Sequence, residues 1–358
     1  MSEAPSDCTN KLKYLSQEPL VGGMPLSEMD GAVTPASQFF VRNHFPIPTI
    51  DASHWKLAVS GEVDHPMGFT YREMKSLSAG NLVCLLECAG NSRAAVQPPV
   101  EGLLWDHGGV SNARWGGVPL HSVLERVGLR SNALEVLFEG ADSGQERGAG
   151  PVGHYAMSLP LDRAMHPDTL LAYEMNGEPL TPEHGYPLRL IVPGWYGMAS
   201  VKWLTGIKVI AHPFKGFHQS DYYVYQQAGP AEGNAPVRVT GMRVKSLISW
   251  PGRGEHLPAG VNAIRGVAWS GTGRVLRVEV STDNGQTWRQ ARVQEAQSPY
   301  SWQQWEYRWE VNQPGYYLLR ARATDAHGNT QPEQAPWNFR GFANNSIHVV
   351  PVQVRSSG

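Results

Sequence analysis

The sequence predicts an α+β domain followed by a β-sandwich. Three observations predict it. The length of 358 residues fits two domains, perhaps a third, at the usual ~150 residues each. The run from Gln226 to Pro236 is small, polar and rich in Gly and Pro, as linkers are. The hydrophobic pattern also changes across that run, from mixed helical and extended before it to alternating after it. The expected division is an N-terminal extension over 1–33, an α+β domain over 34–227, a linker over 228–236 and a sandwich over 237–358.

In the first part, Thr70 and Glu73 have capping-box spacing ahead of Met74 and Leu77, which predicts a helix start. Leu82–Leu86 reads as a buried strand. Leu120, Val123, Leu124 and Val127 fall on one helix face, with Gly128 placed to end the helix. Leu134–Phe138, Leu188–Val192 and Val201–Ile210 are apolar runs of strand length. In the second part, Leu276, Val278 and Val280 alternate with Arg277 and Glu279, which predicts a strand with one buried face. Asp283-Asn284-Gly285 follows as a hairpin signal. Tyr317, Leu319, Ala321 and Ala323 alternate in the same way. Short strands at this spacing predict the sandwich.

Composition excludes several function classes. Hydrophobic residues make up 41% and charged residues 17%, against roughly 25% charged in typical domains, so the chain has material for real cores and is not disordered. The 38 Gly and 27 Pro favour short elements. A net charge of −2 offers no basic field for nucleic acid or membrane, and neither partner is expected. No run reaches the ~18 apolar residues of a membrane span. Met1 to Asn10 has no apolar core and no twin arginine, so the expected location is cytoplasmic as encoded, or periplasmic if a signal was trimmed. The three cysteines, Cys8, Cys84 and Cys88, form no disulfide framework, and no CxxCH is present to attach a haem.

Common catalytic signatures are also missing: there is no GxGxxG after a strand, no Walker A loop, no HExxH and no GxSxG. Three segments remain. In Glu87-Cys88-Ala89-Gly90-Asn91-Ser92-Arg93 a cysteine sits where a buried strand runs into a turn. Its thiolate suits a soft metal and Arg93 favours the ionised form, but a lone buried cysteine is more often an inert apolar residue, the reading Cys84 keeps. In Phe39 to Pro48, Arg42, Asn43 and His44 lie among aromatics and prolines. An anionic ligand or a local carboxylate would satisfy Arg42 and His44. In the third, His184, Arg189 and Lys202 bracket an apolar strand, as they would around a phosphate-bearing cofactor.

Taken in order, FFVRNHFPIP, ECAGNSR, WDHGGVSNARWGGVPL, LLAYEMNGEPLTPEHGYPLRLIVPG, VKWL and WNFRG resemble the sulfite oxidase family of molybdenum enzymes, from about Thr34 to Val354. The resemblance is to the haem-free bacterial and plant-type sulfite oxidases or dehydrogenases, since no haem domain precedes Thr34. It implies a molybdenum–molybdopterin cofactor, no haem in this chain, and a C-terminal immunoglobulin-like domain that makes a homodimer. It implies that Cys88 is the protein's ligand to molybdenum, and that Phe40, Val41, Arg42, Asn43, His44, Cys88, Asp142, His184, Arg189, Ser200, Val201 and Lys202 hold the cofactor. Arg42, Arg93, Trp105, Tyr222 and Arg340 become the substrate-binding, catalytic set. Tyr222 is preferred to Tyr223 because Asp221-Tyr222 matches the family's Asp-Tyr pair. Three permanently charged, forked guanidiniums suit a small oxyanion.

The implied reaction is molybdenum-dependent oxidation of sulfite to sulfate by oxygen-atom transfer, with electrons passed to an external acceptor such as a cytochrome c. The alternative within the family is a sulfane dehydrogenase-like enzyme acting on another sulfur compound. From another class, a cofactor-free relative could serve as a binding module through its sandwich. Cys88, Arg42, Asp142, His184 and Lys202 are all present, which speaks against that reading. Two positions depart from the family: Ser92 stands where animal members have Arg, and Ser200 where His is frequent.

Overall fold

The computed structural model describes residues 12–145, 152–225 and 236–356. The linker expected over 228–236 therefore lies outside the described residues, apart from Pro236. Strands dominate the first part. A mixed sheet runs in the order Met67–Thr70, Lys56–Gly61, Leu204–Ile210, Glu135–Gln145 and Val152–Pro160. A second sheet runs Glu178–Pro179, Leu170–Met175, Val110–Pro119 and Gly80–Glu87, with Arg189–Ile191 also paired to Leu170–Met175. Gly80–Glu87 is thus an edge strand, and it delivers Cys88. A small sheet joins Lys13–Gln17 and Leu20–Gly23 to Val41–Arg42, so chain ahead of Thr34 packs directly onto a candidate site segment.

Helices are few and short: Tyr71–Ser76, Leu120–Val127 and Leu161–Ala164. The first opens on the expected capping box, Glu73 N donating to Thr70 Oγ1 at 3.2 Å and Thr70 N to Glu73 Oε2 at 2.8 Å. The second buries Leu120, Val123, Leu124 and Val127 and stops at Gly128, whose φ of 69° a side chain would resist. Two expected strands have different limits. The run beginning at Leu134 continues to Gln145, and the one placed over Val201–Ile210 pairs only from Leu204. Trp203, in a left-handed conformation (φ 51°), keeps the residues before Leu204 out of the sheet.

The second part is a two-sheet sandwich. One sheet runs Lys245–Trp250, Gly260–Trp269, Gln303–Val311 and Arg292–Val293. The other runs His256–Pro258, His348–Arg355, Gly315–Asp325, Val275–Ser281 and Arg289–Gln290. One core joins them, with Ile248, Ile264, Trp305 and Trp309 from the first and Val278, Val280, Leu319, Ala321 and Val352 from the second. Leu276 corrects the expectation. A bulge between Val275 and Arg277 turns Val275 into the core and leaves Leu276 53% exposed. The Asn284-Gly285 turn forms as expected, both residues at positive φ, between Val275–Ser281 and Arg289–Gln290.

The two domains meet over a polar, buried surface. His107 of the first and His348 of the second stand with ring centroids 4.3 Å apart. Burial, then Lys245 and Arg253, push His348 down to about 4; burial, His348 and Lys245 hold His107 well below its usual range. In the unfolded chain both return to ~6.5. Below ~6.5 the unfolded state takes up protons that the folded state refuses, so stability falls as pH drops from ~6.5 toward 4. The unfolding temperature is expected to be lower at pH 5 than at pH 7.5, and His348→Gln is expected to flatten that dependence.

Candidate active site

The edge strand Gly80–Glu87 ends in a tight turn that presents Cys88. Cys88 N donates to Gly109 O at 2.8 Å, Asn91 N to Cys88 O at 2.9 Å, and Gly109 N to Asn91 Oδ1 at 3.1 Å. Gly90 allows the turn to close, because a Cβ there would stand 2.7 Å from Arg93 Nη2. Ser92 takes a left-handed conformation at φ 67°. Burial pushes the Cys88 thiol up, while Arg42, a backbone hydrogen bond from Gly90 and Arg93 pull it back. Cys84, four residues earlier in the core, is pushed up to about 12 and stays a thiol.

Cys88 opens onto a partly enclosed cavity lined from several segments of the first domain. Of the residues expected to bind a cofactor, Phe40, Arg42, Asn43, His44, Cys88, Asp142, His184, Arg189, Ser200 and Lys202 all line it. Val41 and Val201 are buried beside it without lining it. The two are backbone positions here: Val41 pairs with Gly22, and Val201 O accepts from Leu190 N at 2.8 Å. Segments distant in sequence thus converge, as the sheet order requires.

Among the cavity-lining residues, Arg42, Arg189 and Lys202 outnumber the carboxylates Asp142 and Glu183. Arg189 donates to the backbone oxygens of His184 (3.0 Å) and Ser200 (3.3 Å), and Lys202 to Glu183 O (2.8 Å) and Asn43 Oδ1. Asp142 and Glu183 act on Lys202 only at longer range. Burial pushes Arg189 down to about 9 and Lys202 well below its ordinary value, the latter despite the pull of Asp142 and Glu183, so these charges are costly to bury. Burial lifts Asp142 to about 6 against the pull of Lys202. Three buried atoms on cavity-lining residues have no partner: Arg189 Nε, Asn43 Nδ2 and Asp142 Oδ1. The set calls for a ligand with anionic oxygens at one place and N–H donors at another. No three His, Cys, Asp or Glu converge as a metal site among the described residues, so a metal at Cys88 would take its other ligands from that molecule.

Apart from Arg42, the expected substrate set lies outside the cavity wall. Arg93 is anchored by Arg340 O (2.8 Å) and Leu103 O (2.9 Å) and lies over the Phe342 ring. Arg340 comes from the second domain; its guanidinium covers the Tyr222 ring at 4.7 Å and its Nε has no partner. Trp105 is buried edge-on to Phe40. Arg42 alone of the three arginines lines the cavity.

The comparisons with known proteins agree with this chemistry. Residues 44–218 match the oxidoreductase molybdopterin binding domain, and 237–355 match the Mo-co oxidoreductase dimerisation domain. The chain is 34% identical to sulfite oxidase of Gallus gallus, covering 94% of this chain and 77% of that one. It is 35% identical to sulfite oxidase of Arabidopsis thaliana, covering 97% and 95%. The chain belongs to the sulfite oxidase family. Among solved structures, the sulfane dehydrogenase SoxCD from Paracoccus pantotrophus superposes with a TM-score of 0.83 at 26% identity, over 98% of this chain and 92% of that one.

The cofactor of a sulfite oxidase family member is molybdopterin, and the cavity fits it. Molybdopterin offers phosphate oxygens, ring N–H donors and two sulfurs for the metal, the complement of the unpartnered atoms above. Two lining tyrosines, Tyr155 and Tyr223, were not among the expected site residues. Tyr155 donates to Met198 O at 2.8 Å and stacks on His44, but it sits in an ordinary-looking strand. Tyr223, not Tyr222, faces the cavity, hydrogen-bonded to His44 Nε2 at 2.8 Å. A wide turn over His218–Tyr222, closed by Tyr223 N on His218 O, inserts one residue more than an α-turn, so spacing alone cannot tell the neighbouring tyrosines apart.

Proposed function

We propose that the chain oxidises sulfite to sulfate. The observation that carries this reading is a lone buried thiol, Cys88, opening beside arginines onto a cavity where cations outnumber carboxylates. In this reading Cys88 binds the metal through Sγ. Arg189, Lys202, His44 and Asn43 hold the phosphate end, with Ser200 beside them. Asp142 accepts from the pterin N–H groups. Phe40 to His44 and His184 wall the ring, and Val41 and Val201 support them through backbone pairing. When bound, the cofactor supplies the transferable oxygen and a two-electron redox centre.

The chain's own residues bind and orient the substrate. Arg42, Arg93 and Arg340 offer permanent charge and forked donors to a small oxyanion, and Trp105 closes the apolar side. Arg93 is already fixed by two backbone oxygens, whereas Arg340 Nε is free to meet the anion. Tyr222 sets the plane of Arg340. Tyr223, linked to His44, is placed to hold a proton at its hydroxyl near Arg42, since burial lifts it far above the usual tyrosine range. The electrons leave to an external acceptor, for which a cytochrome c is the reading carried here.

The likeness to SoxCD keeps a second substrate in view, a sulfane sulfur. The test is reduction of ferricyanide by molybdenum-replete protein, with sulfite and with a persulfide in parallel. Turnover on sulfite supports the reading; turnover on the persulfide alone replaces it with the second. The immunoglobulin-like sandwich is expected to make a homodimer, and sedimentation at micromolar concentration should show a dimer. A monomer alone would count against that assembly.

A further inference from the structure

Strand Gly80–Glu87 ends its sheet, and the second domain takes up the edge it leaves open. Val83 O accepts from Ser298 Oγ, and Leu85 N donates to Tyr300 O at 2.9 Å. Ala89 O accepts from Ala343 N at 2.8 Å, and Ser92 O from Asn344 Nδ2 at 2.8 Å. Between these contacts lies Glu87, beside Cys88. Its Oε1 accepts from Lys245 Nζ at 3.0 Å and from Asn91 Nδ2 at 3.1 Å, and its Oε2 from Trp269 Nε1 at 3.0 Å. Lys245 donates also to Ser92 Oγ at 2.8 Å, and Ser92 Oγ in turn meets His107 Nδ1 at 2.7 Å.

Lys245 and Glu87 are each only 2% exposed. A fully buried ion pair is poor value as a source of stability, since apolar groups of the same size usually serve as well or better. What such a pair does supply is one fixed arrangement of the groups it joins. Here it joins residues on both flanks of the turn that carries Cys88, and it does so from the other domain. Neither the cavity nor the arginine set needs Lys245.

We propose that Lys245 is a positioning residue for Cys88: its ammonium ties Glu87 and Ser92 together across the turn and so fixes the direction in which the Cys88 Cβ–Sγ bond meets the metal. The proposal rests on the reading of Cys88 as metal ligand. It gives the second domain a part in the redox centre separate from dimer formation and from Arg340.

The test reads the Cys88 thiolate-to-molybdenum charge-transfer band of the oxidised holoenzyme, resolved from the bands of the cofactor's own two sulfurs; its intensity follows the overlap set by that bond direction. Lys245→Gln is expected to displace this band and to lower kcat by about tenfold to a hundredfold with KM for sulfite little changed, the pattern of a misdirected reacting group. Ser92→Arg added to Lys245→Gln returns a cation within reach of Glu87 and should restore both. Tyr300→Phe, which loses the hydrogen bond to Asp168 on the same domain interface, should alter neither. If a lone buried Glu87 keeps Lys245→Gln from folding, Lys245→Met with Glu87→Leu removes both charges and should still show the displaced band. A band unmoved by these Lys245 variants yet lost in Cys88→Ser overturns the proposal. A band that survives Cys88→Ser overturns the ligand reading instead.

Discussion

Cys88→Ser is expected to lower sulfite-dependent ferricyanide reduction by at least about a thousandfold, some 4 kcal/mol of transition-state stabilisation, while the protein keeps its fold and its pterin. A serine oxygen at this point is a harder and much less acidic donor than a thiolate, and it changes both the charge and the covalency at the metal. The change in volume is small, so packing gives little reason for loss. Arg42 and Arg93 both act on the Cys88 thiol, and a metal completes its ionisation. Pterin and molybdenum content should stay high, because Arg189, Lys202 and Asp142 hold the other end of the cofactor. Cys84→Ala is the control. That thiol is buried outside the cavity wall, and its removal should leave most of the activity. Equal losses in the two variants would point to a packing effect and sink the ligand assignment.

How far the sequence revealed this site depended on where each residue's signal lay. Helix Leu120–Val127 and its Gly128 stop were legible because the pattern and the terminator are local. Strand Gly80–Glu87 was legible from its apolar run, and the turn beyond it from Gly90-Asn91. The bulge at Leu276 was not, because it depends on pairing with Gly315–Asp325 and nothing within Val275–Ser281 announces it. The ten cavity-lining residues among the expected cofactor set were found through family motifs rather than physical pattern. Taken singly, His184, Arg189 and Lys202 each read as structural. Glu87–Lys245 was invisible for a different reason: the partners are 158 positions apart and come from different domains. Tyr223, which lines the cavity, was not singled out, because the Asp221-Tyr222 match pointed only to its neighbour.

Lys202→Met should separate the fold from the cofactor. The side chain is inside the cavity, its Nζ held by Glu183 O and Asn43 Oδ1, and burial works strongly against its charge. Without cofactor phosphate beside it, burial outweighs the pull of Asp142 and Glu183, so that charge is a cost to the folded state, and methionine of similar length removes the cost. The apo-protein is therefore expected to unfold at the same temperature or a higher one. With the cofactor present the balance reverses, since the ammonium meets phosphate in a water-poor site. Truncating one partner of such a buried charge pair costs about 2–5 kcal/mol, or about 30-fold to several-thousand-fold in affinity. Molybdenum and pterin per chain should fall accordingly, and the stabilisation that bound cofactor gives the wild type should shrink with them. Lys208→Met, on the exposed side of the next strand, should change neither quantity. A Lys202→Met protein that unfolds early even without cofactor would make Lys202 a structural residue. One that loads molybdenum at the wild-type level would remove it from the phosphate end, leaving Arg189 and its unpartnered Nε as the cation that anchors the cofactor.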